Sequence, residues 1–159
     1  MDSRIKGPGS DRTVFAQIHP VFDAPLQLSE CPPMSMLTVL YVDDDLDICE
    51  VAALSLKLDG TITPVTAESG EKALELLDAG LQPDAIMLDV MMPDLDGPTT
   101  LKIIRERPHL RDVPVVFITA RTMASEHADY MALGAKGVLT KPFDPITLAR
   151  RLRDVLGRV

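Results

Sequence analysis

Residues 113–118 read VPVVFI, an apolar run with no polar interruption. A strand with one wet face alternates apolar and polar side chains. An unbroken run instead predicts a strand buried on both faces, the setting of a parallel sheet covered by helices. Outward from it, further short runs rich in apolar and β-branched residues lie at Leu37–Val42, Thr61–Val65, Ala85–Leu88 and Gly137–Leu139, alongside Val113–Ile118 itself. The stretches between them carry helical spacing: Leu46–Leu58, Gly70–Ala79, Pro98–Arg107, Ser125–Leu133 and Pro145–Leu156. Strands and helices in strict alternation predict an α/β fold, a doubly wound five-stranded parallel sheet with helices on both faces. Local punctuation agrees. Asp45 suits the cap of the first helix, Pro98 the first position of the third, and Gly134 a left-handed stop after the fourth.

The 159 residues allow one domain with a real core, and 46% hydrophobic with 25% charged residues is the profile of a globular chain. A net charge of −8 argues against direct DNA binding, which calls for a basic surface. No apolar run approaches the roughly 18–20 residues that cross a bilayer, and the start lacks a secretory signal. A cytoplasmic location without membrane contact is therefore expected. Cys31 and Cys49 have neither zinc-site spacing nor the density of a disulfide scaffold and are read as structurally incidental. Residues 1–36, with Pro8, Pro20, Pro25, Pro32 and Pro33 and no sustained period, read as a disordered extension or leader. Met34 and Met36 are candidate starts, and Val14–Phe22 is a candidate partner-binding arm. The folded domain is expected to span 37–159.

In an open parallel sheet, ligands bind at the carboxyl ends of the strands. The first strand ends in Asp43 and Asp44, the third in Asp89, the fourth in Thr119, and the fifth runs into Lys141. Carboxylates within reach of one another need a counter-charge. Magnesium fits, because it takes oxygen ligands, one or two carboxylates and phosphate oxygens. A hydroxyl and an ammonium on the far side are donors for the equatorial oxygens of a transferring phosphoryl group. An aspartate can act as the nucleophile and become an acyl phosphate. Asp45 and Asp47, in the same acidic run, read as cap or turn residues.

The stretches VLYVDDD, IMLDVMMPDLDG, FITA and LTKPF, in this order, closely resemble the receiver domain of two-component response regulators. The resemblance covers residues 37–159 and implies a flavodoxin-like (βα)5 fold. It implies Asp89 as the phospho-acceptor, and Asp43 and Asp44 as the magnesium cradle, Asp44 directly and Asp43 mainly through water. The backbone carbonyl of Met91 would be a further metal ligand. Thr119 would bond the phosphoryl group, Lys141 would ion-pair with it, and Lys141–Pro142 would be a cis peptide. The implied cofactor is Mg2+. The implied partners are a sensor histidine kinase or histidine phosphotransfer protein and an unidentified downstream protein, with a phosphorylation-driven homodimer left open. Such a domain catalyses only its own phosphorylation and dephosphorylation.

The sequence departs from the family pattern at Val138, where many receivers carry an aromatic residue whose ring swings inward during switching. Phe117 and Tyr130 lie nearby in sequence, with simple core packing the plainer expectation for both. Met91 and Arg121, two residues beyond Asp89 and Thr119, sit where the family tunes acyl-phosphate lifetime, and slow self-dephosphorylation is expected. The last helix carries Arg150, Arg151, Arg153 and Arg158, a basic cluster that suits either an acidic partner or the helix's own negative end. A stand-alone domain acting by protein contact is expected. Two other readings stay open. One is an aspartate-nucleophile phosphatase of the dehalogenase-like superfamily, with Asp43 as nucleophile and Asp45 as acid–base. The other is an interaction module that works unphosphorylated.

Overall fold

A computed structural model of the chain describes residues 36–121 and 123–157. The candidate N-terminal extension up to residue 35, with Cys31 and Met34, lies outside the described residues, as does Arg158. In chain order the elements are β1 (Leu37–Val42), α1 (Leu46–Lys57), β2 (Ile62–Ala67), α2 (Gly70–Asp78), β3 (Ala85–Asp89) and α3 (Gly97–Arg105). A 3-10 turn at Pro108–Leu110 follows, then β4 (Val115–Thr119), α4 (Ala124–Ala132), β5 (Gly137–Thr140) and α5 (Leu148–Leu156). The five strands form one parallel sheet in the order β2-β1-β3-β4-β5. From β1, inside the sheet, the chain runs out to β2, then crosses β1 to reach β3. The order therefore reverses at β1 and β3, and a crevice opens at their carboxyl ends.

Two apolar layers follow from the period-2 alternation of the strands. Leu37, Val39 and Tyr41 of β1 pack with Cys49, Ala52 and Leu56 of α1 and with Leu148, Ala149 and Leu152 of α5. Leu40 and Val42 face the other way, with Ala73 and Leu77 of α2, Leu101 and Ile104 of α3, and Tyr130 of α4. Every residue of β3 and β4 is buried, as the unbroken run at 113–118 predicts. The strand itself begins only at Val115. Pro114 has no amide to donate, although its carbonyl accepts from the Ile86 N–H at 3.0 Å.

Other boundaries move for local reasons. β2 continues past Val65 because its ladder with β1 runs on to Val42 opposite Ala67. α5 begins at Leu148 rather than Pro145: Asp144 accepts from the Ile146 N–H through its carboxylate and from the Thr147 N–H through its carbonyl, closing a turn first. Asp45 caps α1 as expected, accepting from the Asp47 and Ile48 amides. Asp47 falls inside the first turn of that helix, where a negative charge is favoured. Asp96 caps α3, and Gly134 takes φ 102° after α4. Gly97 is needed for a different reason: a Cβ there would lie 2.5 Å from the Asp89 carbonyl oxygen. The start of α3 is thus pressed directly against the end of β3.

Candidate functional site

Asp43, Asp44 and Asp89 converge at the crevice, with one carboxylate oxygen from each lying within 4.8 Å of the others. Asp43 and Asp89 are buried and Asp44 is exposed, so the trio has a protected floor and an open rim. Lys141 Nζ lies 2.6 Å from Asp43 Oδ2 and 3.2 Å from Asp89 Oδ2. Its backbone N–H donates to the Thr119 carbonyl at 2.9 Å, fastening the end of β5 to the end of β4. Lys141–Pro142 is cis, as expected. Thr119 is buried, and its Oγ1 accepts from the Arg121 N–H at 3.0 Å. The five side chains named from the sequence therefore meet at one edge of the sheet.

Burial, and then repulsion from Asp43, raise the Asp89 carboxyl to about 6, with Lys141 and the Met91 N–H pulling the other way. Burial alone would lower the Lys141 ammonium. Its bond to Asp43 and the charges of Asp43 and Asp89 outweigh that and hold it above its ordinary value. One ammonium thus serves two buried carboxylates with a third acid at the rim, and a negative excess remains. An all-oxygen, partly open donor set of this kind fits a hard divalent cation such as Mg2+. Asp43, Asp44 and Asp89 are the side chains able to hold it. Met91 keeps its side chain in solvent, leaving its backbone beside the acids.

Several supporting residues carry no sequence motif. The Tyr41 hydroxyl donates to Asp43 Oδ2 at 3.3 Å from beneath the sheet end, and burial, then Asp43, pushes its pKa up. Period-2 spacing puts Tyr41 on the same side as Asp43, which was the available signal. Cys49 is not incidental. Its Sγ donates to the Asp43 carbonyl at 3.2 Å, and burial raises its thiol to about 11, so it serves as a fixed donor rather than a nucleophile. Phe143 packs edge-on against Tyr41 at 6.4 Å, which seats the loop after Lys141. Arg121 does not pair with Asp89; its Nη1 donates to Glu126 Oε1 at 2.9 Å. Of the basic cluster of α5, Arg153 is bound to Asp59 at 2.8 Å. Val138 lies half-buried opposite Phe117 in the β4–β5 register.

The family model described as "Response regulator receiver domain" matches residues 39–153. The chain is 37% identical over 123 residues to the transcriptional regulatory protein CpxR of Escherichia coli, covering 77% of this chain and 50% of that protein. It is 40% identical over 121 residues to the response regulator MprA of Mycolicibacterium vanbaalenii, covering 76% of this chain and 50% of that protein. The chain thus spans about half the length of the curated relatives it matches. Among solved structures, the chemotaxis response regulator CheY4 of Vibrio cholerae superposes with a TM-score of 0.70 at 32% identity, over 76% of this chain and 99% of that one.

Proposed function

Because the chain belongs to the response regulator receiver domain family, we propose that it is a two-component phosphorylation switch whose acceptor is Asp89. The observation that carries this reading is the meeting of Asp43, Asp44 and Asp89 within 4.8 Å, with Lys141 Nζ 3.2 Å from the Asp89 carboxylate. Near neutral pH Asp89 is mostly ionised, and a pKa of about 6 leaves it more basic than an ordinary carboxylate. One Asp89 oxygen attacks the phosphorus of a phosphohistidine on a sensor kinase or phosphotransfer protein. The new P–O bond forms as the P–N bond breaks, its electron pair staying on the imidazole, which then takes a proton from water.

The Lys141 ammonium and the Thr119 hydroxyl are the donors for the phosphoryl oxygens. Asp43, Asp44, Asp89 and the Met91 carbonyl would hold Mg2+, which when bound neutralises the acids and the incoming phosphoryl charge. Tyr41 and Cys49 hold Asp43 still, which keeps that cradle preorganised. The donor is proposed to dock along α1, where a groove of about 360 Å³ lined by Ile48, Val51, Pro142 and Phe143 opens beside Lys141. Leu54 and Leu58 extend that apolar face in solvent. Output is by protein contact through the α4–β5–α5 surface.

Incubation with acetyl phosphate and Mg2+ followed by intact-mass measurement should add one phosphate, and Asp89→Asn should abolish it. Borohydride trapping and peptide mapping should label Asp89. Label at Asp43 would favour the phosphatase reading, and no label at neutral pH would favour an unphosphorylated module.

A further inference from the structure

The groove of about 360 Å³ beside Lys141 is nearly all hydrocarbon. Ile48 and Val51 come to it from α1, Ala120 from the position after Thr119, and Pro142 and Phe143 from the loop after β5. Its shape is set before anything enters. Ile48 and Phe143 pack against the layer shared by β1, α1 and α5, and Phe143 is also seated edge-on against Tyr41. Val51 lines a second groove of about 370 Å³ with Leu54, Leu58 and Pro145, so the apolar surface continues along α1.

Two charged residues complete the lining, Asp47, exposed in the first turn of α1, and Lys141. Lys141 Nζ lies 3.2 Å from Asp89 Oδ2, so the hydrocarbon surface adjoins the acceptor carboxylate. An ammonium at the end of an otherwise apolar groove complements a ligand with an anionic head and an apolar tail. The lining also limits the leaving group. Among the described residues it carries no hydroxyl, thiol or imidazole, and its ammonium is held by Asp43 and Asp89. A group that departs without taking a proton is therefore favoured. A carboxylate departs in that way and an alkoxide does not.

We propose that this groove selects small phosphodonors by their acyl chain, so that the protein takes a phosphoryl group faster from acyl phosphates of apolar carboxylic acids than from acetyl phosphate. This rests on Asp89 being the acceptor and names a substrate class for that site. An Asp89 oxygen forms its bond to phosphorus as the bond from phosphorus to the acyl oxygen breaks. The electron pair leaves with the carboxylate and no proton moves. The acyl chain lies along Ile48, Val51 and Phe143 while the phosphoryl end meets Lys141.

The test compares acetyl phosphate with butyryl phosphate at equal, subsaturating concentration with Mg2+, following phosphate uptake by intact mass. Acetate and butyrate are nearly equal as leaving groups, so chain length is the variable. Moving one methylene from water into hydrocarbon is worth about fourfold, and two methylenes half-covered in an open groove predict a butyryl-to-acetyl rate ratio of about fourfold in the wild type. Asp89→Asn should take up phosphate from neither donor. Val51→Asn, which puts an amide on the apolar wall, and Ala120→Leu, which fills the groove, should each bring the ratio to unity. Both positions are exposed, so the fold tolerates the changes. The ratio is taken within each variant, and a change in overall rate cancels. A wild-type ratio of unity, with acetyl phosphate still phosphorylating Asp89, overturns the acyl-chain selection alone and leaves the groove to the donor protein. A wild-type preference that persists in either variant also overturns it. A wild type that takes phosphate from neither donor overturns the acceptor reading and this inference with it.

Discussion

Replacing Asp89 by Asn should make the protein more stable at pH 8 in the absence of divalent cations. The Asp89 carboxyl stands at about 6 in the folded chain, against 3.8 for the free group, because burial and the Asp43 charge disfavour its ionised form. At about 1.4 kcal/mol per pH unit, ionised Asp89 costs the fold about 3 kcal/mol. The sign follows from the raised value. Stability contributed by the neutral carboxyl is fully present below 3.8 and is lost as pH rises through about 6. Asn resembles the neutral form in shape and charge but forfeits the 3.2 Å contact with Lys141. A gain of about 1–3 kcal/mol at pH 8 is therefore expected, since part of the released cost is lost with that contact. Urea unfolding in EDTA at pH 8, 6 and 4.5 measures it. The advantage should shrink steadily across that series, and Mg2+ at pH 8 should narrow it by stabilising the wild type. A variant less stable than wild type at pH 8 in EDTA, or an advantage indifferent to pH, would refute this account of the charge balance.

Gly97→Ala should lower stability by about 2–3 kcal/mol in urea and slow phosphate uptake, because the new Cβ would press on the backbone of Asp89 and on Val90 Cα at 2.9 Å. Asp59, held at about 2 first by its bond to Arg153, contributes stability above 3.8 that is lost as pH falls through about 2. Arg153→Ala should accordingly cost about 1–2 kcal/mol at pH 7 by urea unfolding, and much less at pH 2.5. The phosphorylated protein should hold its phosphate for longer than seconds with Mg2+ present, as followed by mass. Arg121→Ala should shorten that lifetime, and a wild-type half-life of only seconds would contradict the slow self-dephosphorylation expected from Met91 and Arg121.

The sheet and its helices were legible because the signals are local and repeated. VPVVFI cannot sit on a half-wet strand, and a carboxylate at Asp45 has little choice but to meet the open amides of α1. The converging acids were legible too, since a parallel sheet sends every strand end to one edge. Boundaries were less so, because they depend on where a partner strand stops pairing: nothing within Thr61–Val65 announces that β1 carries the ladder on to Ala67. Side-chain direction was the larger gap. Tyr41 and Cys49 look like ordinary core residues in the sequence, and their single polar atoms matter only because Asp43 lies within reach. Arg121 was read as a tuner of the acyl phosphate and Arg153 as one of a basic cluster, whereas each had an acid near enough to take it, Glu126 five residues ahead and Asp59 from another loop.

The least predictable feature is the order of preference at Lys141. From sequence, its partner is the acceptor, yet its ammonium lies 2.6 Å from Asp43 and 3.2 Å from Asp89. Burial explains the order. Asp43 is the more deeply enclosed acid, and it has the weaker claim on water, so an unshared charge there would be the costlier of the two. The lysine therefore sits as the cation of the acidic cradle, and on the proposed reading it would act as a clamp on phosphate only afterwards. On the proposed reading these roles exclude one another in time. Asp43 and Asp44 would hold a divalent ion, whose charge would relieve the need for the ammonium there, and Lys141 would be left to follow the charge on Asp89. The three acids and the lysine are in this sense one device: the acids store an electrostatic imbalance that, on that reading, a metal and a phosphoryl group would resolve.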